Sequence, residues 1–185
     1  EYGGDSDITG RRSKIEKITI GGDVTTIPGN AFASCEEIKS LTINEGVETI
    51  GAHAFADSNI HNLTLPYTIT SIGQDSFRSL SPDYCLDGVV TINDTSEHPS
   101  ELEEIGIAAF VSSKITSIAI PESVKSIEDN AFMDCTSLES LTFGEDSVLN
   151  LIRDGAFRSC TSLTEIHLPT SLIGGTVGEN IAYGK

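Results

Sequence analysis

Histidine and cysteine are two kinds of side chain that could serve as acid–base catalysts, nucleophiles or metal ligands. The chain has four of each, namely His53, His61, His98, His167, Cys35, Cys85, Cys135 and Cys160. No C-x-x-C pair or neighbouring histidine accompanies the cysteines, which argues against a metal site. The motifs G-x-S-x-G and H-E-x-x-H and a phosphate-binding glycine loop are also missing. The sequence therefore predicts no catalytic residue, no metal and no cofactor, and we expect that the protein is not an enzyme.

Three of the cysteines share one place in a recurring hexapeptide. Cys35, Cys135 and Cys160 end the segments NAFASC, NAFMDC and GAFRSC, each three residues after a Phe. A cysteine fixed in such a place is predicted to be a buried, small apolar side chain. Cys85 lies outside this pattern, so the sequence leaves open whether it is exposed or packed under its own loop. The same place in the other copies is predicted to hold Ser58, Leu80 and Ser113.

The hexapeptide belongs to a longer repeat. Its phenylalanines recur at intervals of 22 to 33 residues, as Phe32, Phe55, Phe77, Phe110, Phe132 and Phe157. Upstream of each lies a strand-like phrase with the pattern apolar-x-x-apolar-x-apolar, such as Ile38, Leu41 and Ile43. A seventh such phrase, LTEIHL, follows Phe157. A period of this length, kept over most of the chain, is typical of solenoid proteins.

Physical chemistry explains why such copies would stack. In the phrase SLTIN, Leu41 and Ile43 point to one side and Thr42 to the other, as in a half-buried strand. One repeat cannot bury its apolar edge alone, so neighbouring repeats form a continuous core. Seven such strands would then lie ~4.8 Å apart in a parallel sheet. A second phrase, VETI or VKSI, predicts a short strand on the opposite side, and NAFASC predicts a helical or 3-10 turn.

Two longer stretches resemble a known family. IAIPESVKSIEDNAFMDCTSLESLTF (118–143) and LTINEGVETIGAHAFADS (41–58) are similar to BspA-like leucine-rich repeats. The resemblance implies an α/β fold, a right-handed leucine-rich-repeat solenoid with parallel β-strands on the inner face and short strands and helical or 3-10 turns on the outer face. It also implies a cell-surface or secreted protein, because members with a known role are adhesins or interaction modules.

The repeat register divides the chain into three parts. We expect an N-terminal lead-in over residues 1–14, a solenoid of about seven repeats over 15–172, and a degenerate last repeat or cap over 173–185. Insertions are predicted at 80–88 and 94–101, before and after the strand of the fourth repeat. A smaller insertion is expected within 145–148.

Composition narrows the possible partners. The formal net charge of −17 argues against nucleic acid or an anionic membrane as the main partner. No stretch approaches the ~20 apolar residues of a membrane span. The resemblance to adhesins implies a protein ligand, such as a host matrix or cell-surface protein. Glycan binding is a third possibility, which the lack of exposed Trp and Tyr on the predicted inner face disfavours.

The candidate binding residues form two groups. Outward positions of the inner strands supply a flat and nearly uncharged face, with Thr42, Thr64, Thr91, Asn93, Thr142 and His167. The loops beside it supply an acidic rim, with Asp94, Glu97, Glu101, Glu145 and Asp146. Two plainer interpretations stay open, because Thr is favoured in strands and long surface loops are tolerated.

These observations predict an extracellular or cell-surface protein-recognition module, adhesin-like and non-catalytic. The alternative is a rigid structural spacer that displays another domain and has no ligand of its own. The two differ in one respect: a spacer should tolerate replacement of its exposed face residues, whereas an adhesin should not.

Overall fold

The computed structural model describes residues 14–21 and 23–179. The predicted lead-in thus lies outside the described residues except for Lys14, and the predicted cap is described as far as Glu179. Within the described part, no helix has the length and apolar character needed to cross a membrane. The chain winds into a solenoid of parallel strands with about six turns, so the main prediction about the fold is confirmed.

Each turn of the solenoid, here called a coil, places one longer strand in an inner column and a two-residue strand in an outer column. The inner strands are β1 (Lys17–Ile20), β3 (Ser40–Ile43), β5 (Ile60–Leu65), β7 (Leu86–Ile92), β9 (Lys114–Ile120) and β11 (Ser140–Phe143). The outer strands are β2 (Thr26–Ile27), β4 (Thr49–Ile50), β6 (Ser71–Ile72), β8 (Glu104–Ile105), β10 (Ser126–Ile127), β12 (Leu151–Ile152) and β13 (Thr176–Val177).

All recorded strand pairings are parallel, as predicted. The outer strands form one seven-stranded sheet, whereas the inner strands form two sheets, β1-β3 and β5-β7-β9-β11. The seventh inner strand, predicted at LTEIHL (163–168), is absent, and the described part of the inner column ends at β11. The same coil does form an outer strand, because β13 pairs with β12.

The outer turns are not helical, so the helical part of the α/β prediction is wrong. Among the described residues the one helix is a 3-10 turn, Thr170–Leu172, in the last repeat. In NAFASC, Asn30 and Ser34 have positive φ angles of 59° and 57°. Phe32 N–H donates to the Ala54 carbonyl of the next coil at 2.8 Å. A helix would keep such N–H groups for its own carbonyls, whereas these turns use alternate N–H groups to hold the neighbouring coil.

The repeat phenylalanines stack through the centre of the solenoid. Neighbouring rings lie 5.1 to 5.5 Å apart between centroids and are nearly parallel. Phe32, at the end of the stack, is half-buried, and the other five rings are buried. Inward-facing isoleucine, leucine and valine side chains of both columns pack around them and form one continuous core.

The cysteine position of the repeat is buried, as expected, and it also makes a hydrogen bond. Cys135 Sγ donates to the carbonyl of Phe110 at 3.1 Å, and Cys160 Sγ does the same to Phe132. Ser58 Oγ makes the equivalent bond to Phe32 at 2.6 Å. The position therefore selects a small donor that satisfies the carbonyl of the preceding coil, which explains why cysteine alternates with serine.

The structure places two residues of the third and fourth repeats, Leu80 and Cys85, in ways that the sequence did not predict or had left open. Leu80, predicted at the cysteine position, is 73% exposed, and Ser79 is buried instead, with its Oγ donating to the Ser81 carbonyl at 2.6 Å. The chain leaves the repeat one residue early to enter the insertion. Cys85, whose exposure was left open, is buried under that insertion.

Burial gives Cys135 a pH-dependent contribution to stability. Loss of solvation raises the pKa of the Cys135 thiol well above its usual range. A raised pKa means that this contribution is fully present below the unfolded pKa of ~8.5 and is lost as the pH rises above it. We expect the free energy of unfolding, measured by urea titration, to fall more between pH 7.5 and pH 10 for the wild type than for Cys135→Ser. Equal losses in the two proteins would contradict the assignment to Cys135.

Ser76 offers a stabilising substitution. Its hydroxyl is fully buried and has no hydrogen-bond partner among the described residues, and five other repeats have Ala before the Phe. We expect Ser76→Ala to raise the free energy of unfolding by about 1 kcal/mol, because an unsatisfied buried hydroxyl is removed. The matched control is Ser58→Ala, which removes a hydroxyl that accepts from Cys35 N–H at 3.1 Å and donates to Phe32. The free energy of unfolding of that variant should fall by ~1–3 kcal/mol. Urea titration of the two variants and the wild type measures both effects.

Candidate recognition surface

The outward positions of the inner strands form the first part of the candidate surface, called the inner face. Thr42, Thr64, Thr91 and Thr142 are all exposed there. Pairing places Thr64 opposite Thr91, Thr42 opposite Thr19, and Thr142 opposite Ala119. Because these side chains are small and uncharged, a partner could approach the sheet closely.

Not all predicted members of the face come together. Thr42 belongs to the β1-β3 sheet, and the other three threonines belong to the four-stranded sheet. His167 lies in the segment without a strand, where its Nε2 is 3.1 Å from Glu165 Oε1 and its side chain is 85% exposed. The structure therefore does not align His167 with the threonines, because the strand that would have aligned it does not form.

The second part of the surface is the carboxyl edge, defined as the segments that follow the inner strands: residues 23–25, 44–48, 66–70, 93–103, 121–125 and 144–150. One lysine, Lys125, is its only Lys or Arg. Its acidic residues are Asp23, Glu45, Glu48, Asp94, Glu97, Glu101, Glu103, Glu122, Glu145 and Asp146. This edge thus carries a large share of the net negative charge.

Of these ten carboxylates, only Glu103 has an ion-pair partner among the described residues. Glu16 pairs with Lys39 at 2.7 Å, and on the carboxyl edge Glu103 pairs with Lys125 at 2.6 Å. Within the described ranges, no ion pair includes the predicted rim residues Asp94, Glu97, Glu101, Glu145 and Asp146, or Glu122. Their charges are therefore available to a partner.

The first acidic loop, predicted at 94–101, is held by its own hydrogen bonds and by the third coil. Asp94 Oδ1 accepts the N–H of Ser100 at 3.0 Å. The imidazole of His98 stacks on the ring of Tyr67 with centroids 4.7 Å apart. Glu101 N–H donates to the Tyr67 carbonyl at 2.8 Å. These contacts fix the position of Asp94, and Glu97 and Asn93 remain exposed beside it.

The second acidic loop, at 145–148, is tied to the preceding coil through Glu122. Glu122 Oε1 accepts the N–H of Asp146 at 3.2 Å, and the Glu122 carbonyl accepts the N–H of Val148 at 3.0 Å. The side chain of Glu122 crosses over Gly144, where a Cβ atom would lie 2.3 Å from Glu122 Cγ. The glycine thus leaves the room that Glu122 needs to reach the loop.

A pocket of about 210 Å³ lies between the two loops. Its walls include Asp94, Glu122, Thr142 and Phe143, and its floor is apolar, with Ile120. The structure therefore brings together two predicted residues, Asp94 and Thr142, that belong to different coils. Sequence reasoning missed Glu122 and Phe143. The position of Glu122, at the same edge and in the coil between the two insertions, is the signal that could have identified it.

The side chains that could hold a metal ion are spread out on this surface. Among the described residues, no group of three or more histidine, cysteine or carboxylate side chains is placed to hold a metal ion. The carboxylates are distributed along an edge of the sheet, and two of them, Asp94 and Glu122, line the pocket. What the surface can do chemically is attract positive charge and present small polar groups for hydrogen bonding.

Three solved structures are similar to this chain, and the first of them shares its fold. The chain is 23% identical to a leucine-rich repeat protein from Eubacterium ventriosum, with a TM-score of 0.68, over 86% of this chain and 40% of that protein. It is 24% identical to the pneumococcal vaccine antigen PcpA (TM-score 0.46, 84% of this chain and 45% of that one). It is 20% identical to a leucine-rich cell surface protein from Faecalibacterium prausnitzii (TM-score 0.48, 90% and 68%).

The sequence itself matches a repeat family along nearly its whole length. Among curated proteins there is no significant match. The family profile described as the BspA type leucine rich repeat region matches six copies, over residues 11–93 and 82–181. The register of strands and phenylalanine turns described above is the structural counterpart of those copies, and the chain belongs to the BspA-type leucine-rich repeat family.

Proposed function

We propose that this chain is a non-catalytic, adhesin-like protein-recognition module at the cell surface or outside the cell. Its partner is a protein, such as a host matrix or cell-surface protein, that docks on the inner face and the carboxyl edge. One observation carries the proposal: nine of the ten carboxylates on the carboxyl edge have no ion-pair partner among the described residues, and the same edge bears the loops 94–101 and 145–148.

The two parts of the surface suit different steps of binding. A field of one sign accelerates encounter with a partner of opposite charge, so the acidic edge favours a basic partner. The cores of protein interfaces are depleted of charge, and the threonine-rich inner face has that character. The edge would therefore steer and orient the partner, and the face would make the close contact.

The proposed location rests on the family and not on the geometry. The sequence resemblance implies cell-surface or secreted proteins for BspA-like repeats. The chain spans 40% of the length of the Eubacterium ventriosum protein. What is said here about the activity and the partners of the whole protein is therefore part of the proposal.

A structural spacer remains the alternative, and one observation favours it. The core repeats from coil to coil and the phenylalanine stack is unbroken from Phe32 to Phe157, which makes the solenoid suited to hold another domain at a distance. A spacer needs neither the acidic loops nor the threonine face. Changes confined to those surfaces separate the two functions.

The test is binding of the purified protein to a panel of matrix and serum proteins, with two variants. In the first, residues 93–103 are replaced by the regular turn of the fifth coil, PESVK (121–125). In the second, Asp94, Glu97 and Glu101 become Asn, Gln and Gln, which keeps the loop length and removes its charge. We expect saturable binding that weakens at high salt and in both variants. Affinity unchanged in both folded variants would contradict a role for this loop, and no binding to any panel member would favour the spacer.

A further inference from the structure

The pocket between the two acidic loops is small and has two kinds of wall. Its volume of about 210 Å³ is below the ~300–1,000 Å³ typical of small-molecule sites. That size fits one side chain of a partner better than a metabolite. Carboxylates stand at its rim and apolar groups form its floor, so the group that fits it is long, apolar along its stem and positive at its tip.

The rim carboxylates are held in place before any partner arrives. Asp94 Oδ1 is anchored by the N–H of Ser100, and Glu122 Oε1 by the N–H of Asp146. Each carboxylate has a second oxygen, for which the described residues offer no Lys or Arg. Because the two groups are already oriented, binding a cation between them would require little further ordering.

The floor and one wall match the rest of such a side chain. Ile92 and Ile120 are buried beneath the pocket and can cover methylene groups, as apolar surfaces do for the stems of Lys and Arg. Phe143 is half-buried at the same pocket. An aromatic ring beside carboxylates favours a planar guanidinium, which stacks on rings and pairs with carboxylates through two N–H groups.

We propose that this pocket, formed by Asp94, Glu122, Thr142 and Phe143, is a socket for a single arginine side chain of the protein partner. The proposal rests on the function proposed above and specifies its contact. It assigns Glu122 and Phe143 as specificity-determining residues, and it explains why the two insertions flank the fifth coil.

The experiment uses short peptides, so that it does not depend on the identity of the partner. The ¹⁵N-labelled protein is titrated with acetyl-Gly-Gly-Arg-Gly-Gly-amide, followed by amide chemical shifts. The same peptide with citrulline keeps the shape and removes the charge, and the peptide with lysine keeps the charge and removes the planar group. We expect the arginine peptide to shift the Gly144, Asp146 and Ser100 amides saturably, with a Kd of about 1–10 mM.

Variants locate the site. Glu122→Gln should weaken binding of the arginine peptide by roughly tenfold, because a charge-assisted hydrogen bond is lost. Glu139→Gln makes the same change of charge at the opposite end of β11, where Glu139 is exposed, and should leave the affinity unchanged. Phe143→Leu should reduce the preference for arginine over lysine.

Three results would overturn the proposal: no saturable shift with the arginine peptide, equal binding of the citrulline or lysine peptide, or equal loss in Glu122→Gln and Glu139→Gln. The proposed function fails separately. If Glu122→Gln and the wild type bind a matrix protein equally well, the socket is wrong and the recognition module stands. If arginine peptides bind and no protein of the panel does, the socket stands and the broader function is in doubt.

Discussion

Replacing Phe110 with Ala is expected to lower the free energy of unfolding by about 3–5 kcal/mol. The ring is fully buried and stacks on Phe77 at 5.3 Å and on Phe132 at 5.1 Å. Truncation removes the buried area of the side chain and leaves a cavity between two coils. Since each coil contacts only its neighbours, the cavity also weakens the coupling between the two halves of the solenoid.

Phe32→Ala is the matched control for that effect. Phe32 occupies the same repeat position but is half-buried, and among the described residues it stacks on one ring, Phe55, at 5.3 Å. The decrease in the free energy of unfolding for Phe32→Ala should be roughly half as large, because the half-buried ring buries less apolar area. Urea unfolding followed by circular dichroism measures both, and a Phe110→Ala transition that becomes broader or biphasic would show the uncoupling. Equal destabilisation by the two substitutions would contradict a cooperative central stack.

Repetition made most of this fold predictable from the sequence. The inward positions of β3 and β9 follow from a two-residue period, and Phe55 and Phe132 follow from their common place in the repeat. The helical turn was wrong for a physical reason: the N–H of Phe32 and its equivalents bond to the next coil. A prediction made from a single repeat omits the next coil, whose carbonyls accept these hydrogen bonds and so favour the observed turn.

The candidate surface could be predicted from the sequence to about the same extent as the fold. Thr64 and Thr91 face outward because the strand alternation requires it, and their adjacency follows from register. Glu122 was missed because its role depends on Gly144 in the next coil, which gives its side chain room, and on the N–H of Asp146, which binds it. Contacts between coils, and not residue types, define this site.

At Gly88 the addition of a single methyl group should have a large effect. It has a φ of +75°, in a region where an L-residue is strained by about 1–2 kcal/mol. It lies where the pairing of β7 with β9 shifts register, and the pairing of β5 with β7 shifts near Asn62. A Cβ atom at residue 88 would lie 2.4 Å from Asn62 Oδ1, the atom that accepts the N–H of Val89 at 2.8 Å.

Gly88→Ala is therefore expected to lower the free energy of unfolding by about 2–3 kcal/mol, the sum of backbone strain and a lost hydrogen bond. In an Asn62→Ala background the clash and the hydrogen bond are already gone, so the same substitution should lose only the ~1–2 kcal/mol of strain. A double-mutant cycle from urea unfolding measures this difference as a coupling of about 1 kcal/mol. Additive losses in the free energy of unfolding would mean that the hydrogen bond from Val89 to Asn62 does not stabilise the fold. The register shift at Gly88 would then depend on the backbone of Gly88 alone.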